Sequence, residues 1–243
     1  MRVAICSDIH GNRQGFEAVI EAAEADGADE LWCLGDLVGY GAEPDACVDL
    51  AARHCSIVLS GNHDLAVVEV LSLEEFSRGA SLAAQWTRDV ISEETREFLL
   101  SLEPQGGGEG FGLFHASPRD PVWEYVLSAL AAELCFDATD FRVSFIGHSH
   151  VALSFHRPEG EPATGTTRRE GAEVDVSAGH WLINPGSAGQ PRDGDPRAAW
   201  LLLDTERQSA IYQRADYDIA GAQAAIRSAR LPDSLAERLQ YGQ

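Results

Sequence analysis

Five short apolar runs punctuate the first 150 residues, and each gives way abruptly to aspartate, asparagine, histidine or glycine. They cover residues 3–6, 31–34, 57–59, 111–114 and 143–146. Runs this short, bounded by turn-forming residues, predict buried strands rather than helices. Between the first two, Phe16, Val19, Ile20 and Ala23 recur at helical spacing, so residues 13–26 predict an amphipathic helix stopped by Gly27. Strand, helix and strand in such close succession predict a parallel βαβ unit. Pro44 opens a second helix over 44–53, where its missing donor costs little. Residues 65–103 carry no strand signal and split into three helical pieces, 65–68, 76–90 and 93–102. Gly106, Gly107 and Gly108 read as a flexible connector.

Further along, the pattern predicts a helix over 128–136 and a strand over 151–156. The polar stretch 157–179 reads as a surface hairpin loop. A strand at 181–183, a closing hairpin of 198–204 with 209–214, and a terminal helix over 216–240 complete the chain. The expectation is one domain, 1–243, with a helical insert at about 65–103.

Charge narrows the partners. The net charge is -21, which argues against stable nucleic-acid binding because a phosphate backbone needs a basic surface. An anionic substrate remains compatible, since bound cations would invert the local sign. All 18 basic residues are arginine, which removes lysine Schiff-base chemistry and the phosphate-loop lysine motif. Five cysteines form no CxxC pair and fit thiols in a reducing cytosol. No apolar run reaches membrane-spanning length, and the N-terminus enters a strand pattern with no signal peptide. The expected location is cytoplasmic, with no membrane partner.

The residues that end the runs carry the chemistry. They are Asp8 and His10, Asp36, Asn62 and His63, His115, and His148 with His150. In α/β sheets, ligands bind beyond the carboxyl ends of strands, so these groups are expected to meet at one edge. Asp8/His10 and His148/His150 are two residues apart, and on extended backbone each pair would point the same way. The donors are oxygen and imidazole nitrogen without thiolate, which suits Mn, Fe, Zn, Co or Ni. Seven candidate ligands exceed one four-coordinate site and suit two metals sharing a carboxylate, with Asp36 as the natural bridge. Gly61 is expected to supply a backbone angle for a sharp turn. After it, His63 can carry a proton near neutral pH, and Asp64 can hold its ring in one tautomer.

Taken in order, Asp8-Ile9-His10, Gly35-Asp36, Gly61-Asn62-His63-Asp64, His115 and Gly147-His148-Ser149-His150 resemble the calcineurin-like metallophosphoesterases, whose pattern runs D-x-H, GD, GNH[DE], H and GHxH. The second block lacks the Asp-Arg of the Ser/Thr protein phosphatases. It looks more like the small bacterial and archaeal phosphodiesterase-type members, as does the later stretch from Asn184 to Arg192. The resemblance implies a four-layer αββα sandwich with two mixed β-sheets. It implies that Asp8, His10, Asp36 and His150 hold one metal ion. Asp36, Asn62, His115 and His148 would hold the other, manganese first among the candidates.

The expected activity is hydrolysis of phosphodiesters, or of monoesters, by a hydroxide bridging two ions about 3.5–4 Å apart. His63 would protonate the leaving group and Asp64 would orient His63. The substrate is expected to be a small phosphate ester or nucleotide. A dinucleoside polyphosphate hydrolase or phosphomonoesterase is a second reading, and a non-catalytic protein-interaction scaffold a third. Asn12 either touches the site or caps a helix. Arg119 and Arg192 either bind substrate phosphate or make surface salt bridges. Tyr40, Trp123 and Tyr125 either stack on a base or pack in the core, and the insert is either a lid or plain outer structure.

Overall fold

Alternate residues of the central strands face two different hydrophobic cores, which is why their sequences read as unbroken apolar runs. The computed structural model describes residues 1–108 and 110–243. In strand β1 (Arg2–Cys6), Val3 and Ile5 enter a core between two sheets, while Ala4 and Cys6 enter a core beneath helices. Helix α1 (Arg13–Ala25), strand β2 (Glu30–Cys33), helix α2 (Pro44–His54) and strand β3 (Ile57–Val58) follow. In β2, Trp32 faces the inter-sheet core and Leu31 and Cys33 the helix side. These strands pair in parallel, Ile5 opposite Trp32 and Trp32 opposite Ile57, as the βαβ pattern predicts.

Three helices come next, α3 (Asn62–Val67), α4 (Arg78–Val90) and α5 (Glu93–Leu100). A second set of elements comprises β4 (Gln105–Gly108), β5 (Phe111–Phe114), α6 (Ala129–Phe136), β6 (Val143–Phe145), β7 (Leu153–Arg157), β8 (Thr164–Thr167), β9 (Glu173–Asp175) and β10 (His180–Asn184). The chain closes with β11 (Ala198–Asp204), β12 (Ser209–Ala215), α7 (Ile219–Ser228), α8 (Asp233–Glu237) and a 3-10 turn (Arg238–Tyr241). One six-stranded sheet runs β3-β2-β1-β11-β12-β9 and the other β4-β5-β6-β10-β7-β8. Both are mixed, because β11 joins β1 antiparallel and β7 joins β10 antiparallel. Helices α1 and α2 cover the outer face of the first sheet and α6 that of the second, giving the expected αββα layers. No helix of the described residues is long and apolar enough to cross a membrane.

Three local expectations need correction. The glycines 106–108 are not a loose connector but edge strand β4, paired antiparallel with β5. A Cβ on Gly108 would lie 2.8 Å from Ile57 Cδ1, so glycine is what lets this strand close over the neighbouring side chains. The stretch 157–179 is not one loop; it contains β8 and β9, which join different sheets. All four β8 residues are exposed, which erased the alternation that marks a half-buried strand. The terminal helix is broken after Ser228, where Arg230 takes a positive φ and Pro232 starts a new element.

The consequence for function is positional. β1, β2 and β3 run parallel in one sheet, and β5, β6 and β10 run parallel in the other. Every block singled out in the sequence begins just beyond the carboxyl end of one of these strands.

Candidate metal centre

The backbone at these strand ends is not extended. Among the described residues, nine non-glycine residues have positive φ, and five of them are Asp8, His10, Asp36, His148 and His150. Left-handed backbone at a non-glycine residue costs about 1–3 kcal/mol and concentrates at functional sites. So the two-residue pairs do not converge by the alternation of a strand, as the sequence reading supposed. They converge because each chain turns left-handed at both members of the pair.

Two groups of buried donors result. Asp8, His10, Asp36 and His150 place ligand atoms within 4.8 Å of one another, and so do Asp36, His115 and His148. Asp36 belongs to both. Its Oδ1 accepts the His63 N–H at 2.8 Å, while its Oδ2 has no hydrogen-bond partner. That Oδ2 lies 3.5 Å from His10 Nε2 and 3.6 Å from His115 Nε2, between the two groups. Asn62 Oδ1 joins the second group, 3.3 Å from His115 Nε2.

The ring tautomers follow from backbone contacts. The Nδ1 atoms of His10, His115 and His150 lie 3.1, 2.9 and 2.7 Å from the carbonyls of Val38, Leu34 and Gln190. A carbonyl only accepts, so each Nδ1 carries a proton; in His10 and His150, which burial keeps neutral, Nε2 then presents a lone pair. His10 Nε2 and His150 Nε2 nevertheless face each other at 3.0 Å. Two lone pairs with no proton between them repel, and a cation between them removes the conflict. His148 Nε2 is likewise buried without a partner. The donor set therefore fits metal ions: Asp36 Oδ2 and His148 Nε2 are buried without a partner, and backbone carbonyls hold the Nδ1 atoms of His10, His115 and His150.

Burial sets the protonation of the metal-free cluster. It pushes His10, His148 and His150 well below the ordinary histidine value, so their rings are neutral. It pushes Asp8 up to about 7, and Asp36 well above the carboxylate range with the nearby Asp64 charge adding to the effect. The stretch after β10 braces the cluster. Ser187 Oγ and the Gly189 N–H both donate to the Asp8 carbonyl, and Asn184 Nδ2 donates to the Gly147 carbonyl.

Gly61 plays a different part from the one expected. Its φ of -107° and ψ of -179° are open to any residue. A Cβ there would instead lie 2.0 Å from Asp36 Oδ1, so glycine makes room for the shared carboxylate. The residues after it begin helix α3 rather than a free turn. Asp64 also departs from expectation. Its carboxylate accepts the N–H groups of Leu37, Val38 and Gly61 at 3.2, 3.0 and 2.9 Å. It does not orient His63, whose Nδ1 is buried without a partner against Gly39. Nor is His63 poised near neutrality in the free site: burial, then the Arg192 charge, pushes it down to about 3.

A cleft of about 320 Å³ opens over the cluster, reached by Asp36, Asn62, His63, His148 and His150. Tyr40, Phe76, Trp123, Tyr125, Arg192 and Arg238 form its walls, with Glu75 at the rim. Tyr40 lies 4.7 Å from the His10 ring and 4.5 Å from that of His63, and Tyr125 stacks on His148 at 4.1 Å. The insert thus contributes one wall, through Glu75, Phe76, Ser77 and Ala80.

Of the expected substrate contacts, Arg192 is in the cleft, whereas Arg119 and Asn12 are not. Arg119 is 40% exposed and pairs with Glu124 at 3.0 Å. Asn12 caps α1, its Oδ1 accepting the Gly15 N–H and its Nδ2 donating to the Gly189 carbonyl, so neither end is free. Phe76, Gln190 and Arg238 escaped the sequence reading. Gln190 lies beside Arg192 in a stretch already singled out, but Arg238 sits in a helical tail with no local signal.

Comparison with known proteins agrees with this geometry. The profile of the calcineurin-like phosphoesterase superfamily domain matches residues 1–208. The chain is 36% identical to the uncharacterized protein MJ0912 of Methanocaldococcus jannaschii over 99% of this chain and 98% of that one. The crystal structure of a metallophosphoesterase from Sphaerobacter thermophilus superposes with a TM-score of 0.90 at 41% identity, covering 100% of this chain and 99% of that one. A shorter stretch, 41% of this chain, is 31% identical to 36% of a symmetrical bis(5'-nucleosyl)-tetraphosphatase of Ectopseudomonas mendocina.

Proposed function

The chain belongs to the calcineurin-like phosphoesterase superfamily, and from that membership and this geometry we propose that it is a dimetal phosphodiesterase. Asp8, His10, Asp36 and His150 hold one ion, and Asp36, Asn62, His115 and His148 the other, with manganese the first candidate. The observation that carries the reading is the 3.0 Å approach of two unprotonated nitrogens, His10 Nε2 and His150 Nε2, beside a partnerless Asp36 Oδ2. A metal pair in such a site supplies Lewis acidity toward a phosphoryl group and an activated water.

The chain's own residues do the rest. Arg192 offers a fork of donors to the nonbridging phosphoryl oxygens. His63, its Nδ1 packed against Gly39 and its ring lining the cleft, delivers a proton to the leaving oxygen. Burial is the first cause that depresses His63 and the Arg192 charge the second; an anionic phosphate between the two side chains offsets the second and adds its own attraction for a proton on the ring. Tyr40 at one end of the cluster and Tyr125 at the other leave an apolar wall for an organic group on each side of the phosphate. The second reading, a dinucleoside polyphosphate hydrolase, is supported by the paired Phe76 and Trp123 rings, 5.3 Å apart and able to hold a base. Five free cysteines support a cytoplasmic setting.

The test is a panel of aryl and alkyl phosphodiesters, cyclic nucleotides, monoesters and dinucleoside polyphosphates, with metal content measured on the same samples. The expected result is two ions per chain and preferred turnover of disubstituted phosphates over monoesters. His63→Ala should keep the metals and slow an alkyl diester by about 10²–10⁴-fold, with a smaller loss for an aryl one. Equal slowing of both would remove His63 as the proton donor, and a chain that binds no metal would end the proposal.

A further inference from the structure

Arg192 and Arg238 come from distant parts of the chain and meet at one acceptor. Arg192 Nη2 donates to Gln190 Oε1 at 3.0 Å, and Arg238 Nη1 donates to the same oxygen at 3.1 Å. Gln190 is 2% exposed, and its backbone carbonyl holds His150 Nδ1, so the acceptor is fixed to the ligand framework. The Arg192 N–H donates to the His150 carbonyl at 3.0 Å. Arg238 opens the terminal 3-10 turn, which buried Leu235 and Leu239 pin against α4 and α7.

Two guanidinium groups side by side repel each other. Here no direct ion pair compensates them: among the described residues, neither lies within 4.0 Å of a carboxylate, and the acidic groups that feel the Arg192 charge are Asp8 and Asp36 of the metal cluster. Arg192 also leaves its Nε buried without a partner. Away from the metal cluster, the acidic residue lining the same cleft is Glu75, exposed at the rim. Partial burial and the neighbouring Arg192 charge both pull Arg238 below the ordinary arginine value. An arrangement held under this repulsion is stabilised by an anion that accepts from both forks.

We propose that Arg192 and Arg238, locked side by side by Gln190, form a two-phosphate anion site in which Arg238 selects esters bearing another phosphate next to the one attacked. This rests on the phosphoesterase reading above and narrows it to phosphoanhydride-containing substrates. Donors sharing one acceptor lie close enough to span neighbouring phosphates of a diphosphate or longer chain. Arg192, over the Tyr40 ring at 5.7 Å and beside the ligand loop, serves the phosphate nearer the metals. Arg238 serves the next one out.

Two measurements on the manganese-loaded protein test this. Calorimetry compares imidodiphosphate with orthophosphate, and kinetics compares diadenosine tetraphosphate with bis(p-nitrophenyl) phosphate. The wild-type chain should bind imidodiphosphate about tenfold or more tighter than orthophosphate. Arg238→Gln should abolish most of that difference and lower the ratio of kcat/KM for the tetraphosphate over the aryl diester by about tenfold or more. Arg238→Lys, which keeps the charge, should recover part of both and keeps the test decisive if the glutamine variant unfolds. An unchanged ratio and unchanged binding preference in Arg238→Gln would overturn the subsite while leaving the phosphoesterase reading intact. Binding through Arg238 with no hydrolysis of any ester would do the reverse.

Discussion

Gly61→Ala is the most exacting test of the shared carboxylate. The added methyl would sit 2.0 Å from Asp36 Oδ1, 2.5 Å from its Cγ and 2.7 Å from its backbone nitrogen. Backbone strain contributes nothing, because φ and ψ at this position suit alanine. The whole effect must fall on Asp36, whose side chain is fully buried and cannot swing into solvent. Restoring ordinary contact requires a shift of about 1 Å or more, and a displacement of that size at a reacting centre can lower turnover about 10²-fold. It would also stretch the 2.8 Å hydrogen bond from the His63 N–H, so the proposed proton donor moves with the proposed bridge. Overpacking of this kind costs about 1–3 kcal/mol in stability. The assays are metal content per chain, aryl diester turnover and urea unfolding. Gly106→Ala is the control, since its methyl would meet only Leu59 Cδ2 at 3.5 Å. A Gly61→Ala chain that keeps two metals and turns over within threefold of wild type would refute the assignment of Asp36 as the bridge.

Two further outcomes follow from the buried charges. Asp64→Asn should lower the urea midpoint, at about 1–3 kcal/mol for each loop amide left unpaired, while leaving the difference between alkyl and aryl diester turnover unchanged; a change in that difference would restore Asp64 as the residue that tunes His63. Burial raises Asp8 to about 7 in the metal-free chain, so its contribution to stability, full below the unfolded carboxylate value, is lost as pH rises through 7. Metal uptake at pH 6 should therefore release protons from the carboxylates, none coming from His10, His148 and His150, which burial already keeps neutral. Calorimetry in buffers of different ionisation enthalpy reads this directly, and an uptake heat independent of buffer would contradict it.

The left-handed ligand residues explain why the site rests on so large a core. Five unfavourable backbone positions in three short loops persist only if the surroundings leave no alternative. Those surroundings are the strand ends and the 187–189 segment, whose groups donate to the Ser7 and Asp8 carbonyls. The cleft walls are assembled differently, from side chains on the insert, on the segment before α6 and on the C-terminal turn.

The sequence by itself determined the central strands, because burial on both faces leaves an unbroken apolar run, and it determined the donors, because each run ends at one. It also carried the family pattern, since the five blocks keep their order and local spacing. Tertiary structure alone decided how the donors converge: left-handed turns, not strand alternation, bring Asp8 to His10 and His148 to His150. It assigned Gly61 to the space around Asp36 rather than to a backbone angle, and spent Asp64 on loop amides and Asn12 on a helix cap. It also separated Arg192 from Arg119 and brought Arg238 to Gln190. Local patterns record what a residue can bond; which partner it bonds is fixed by contacts between segments that no local pattern encodes.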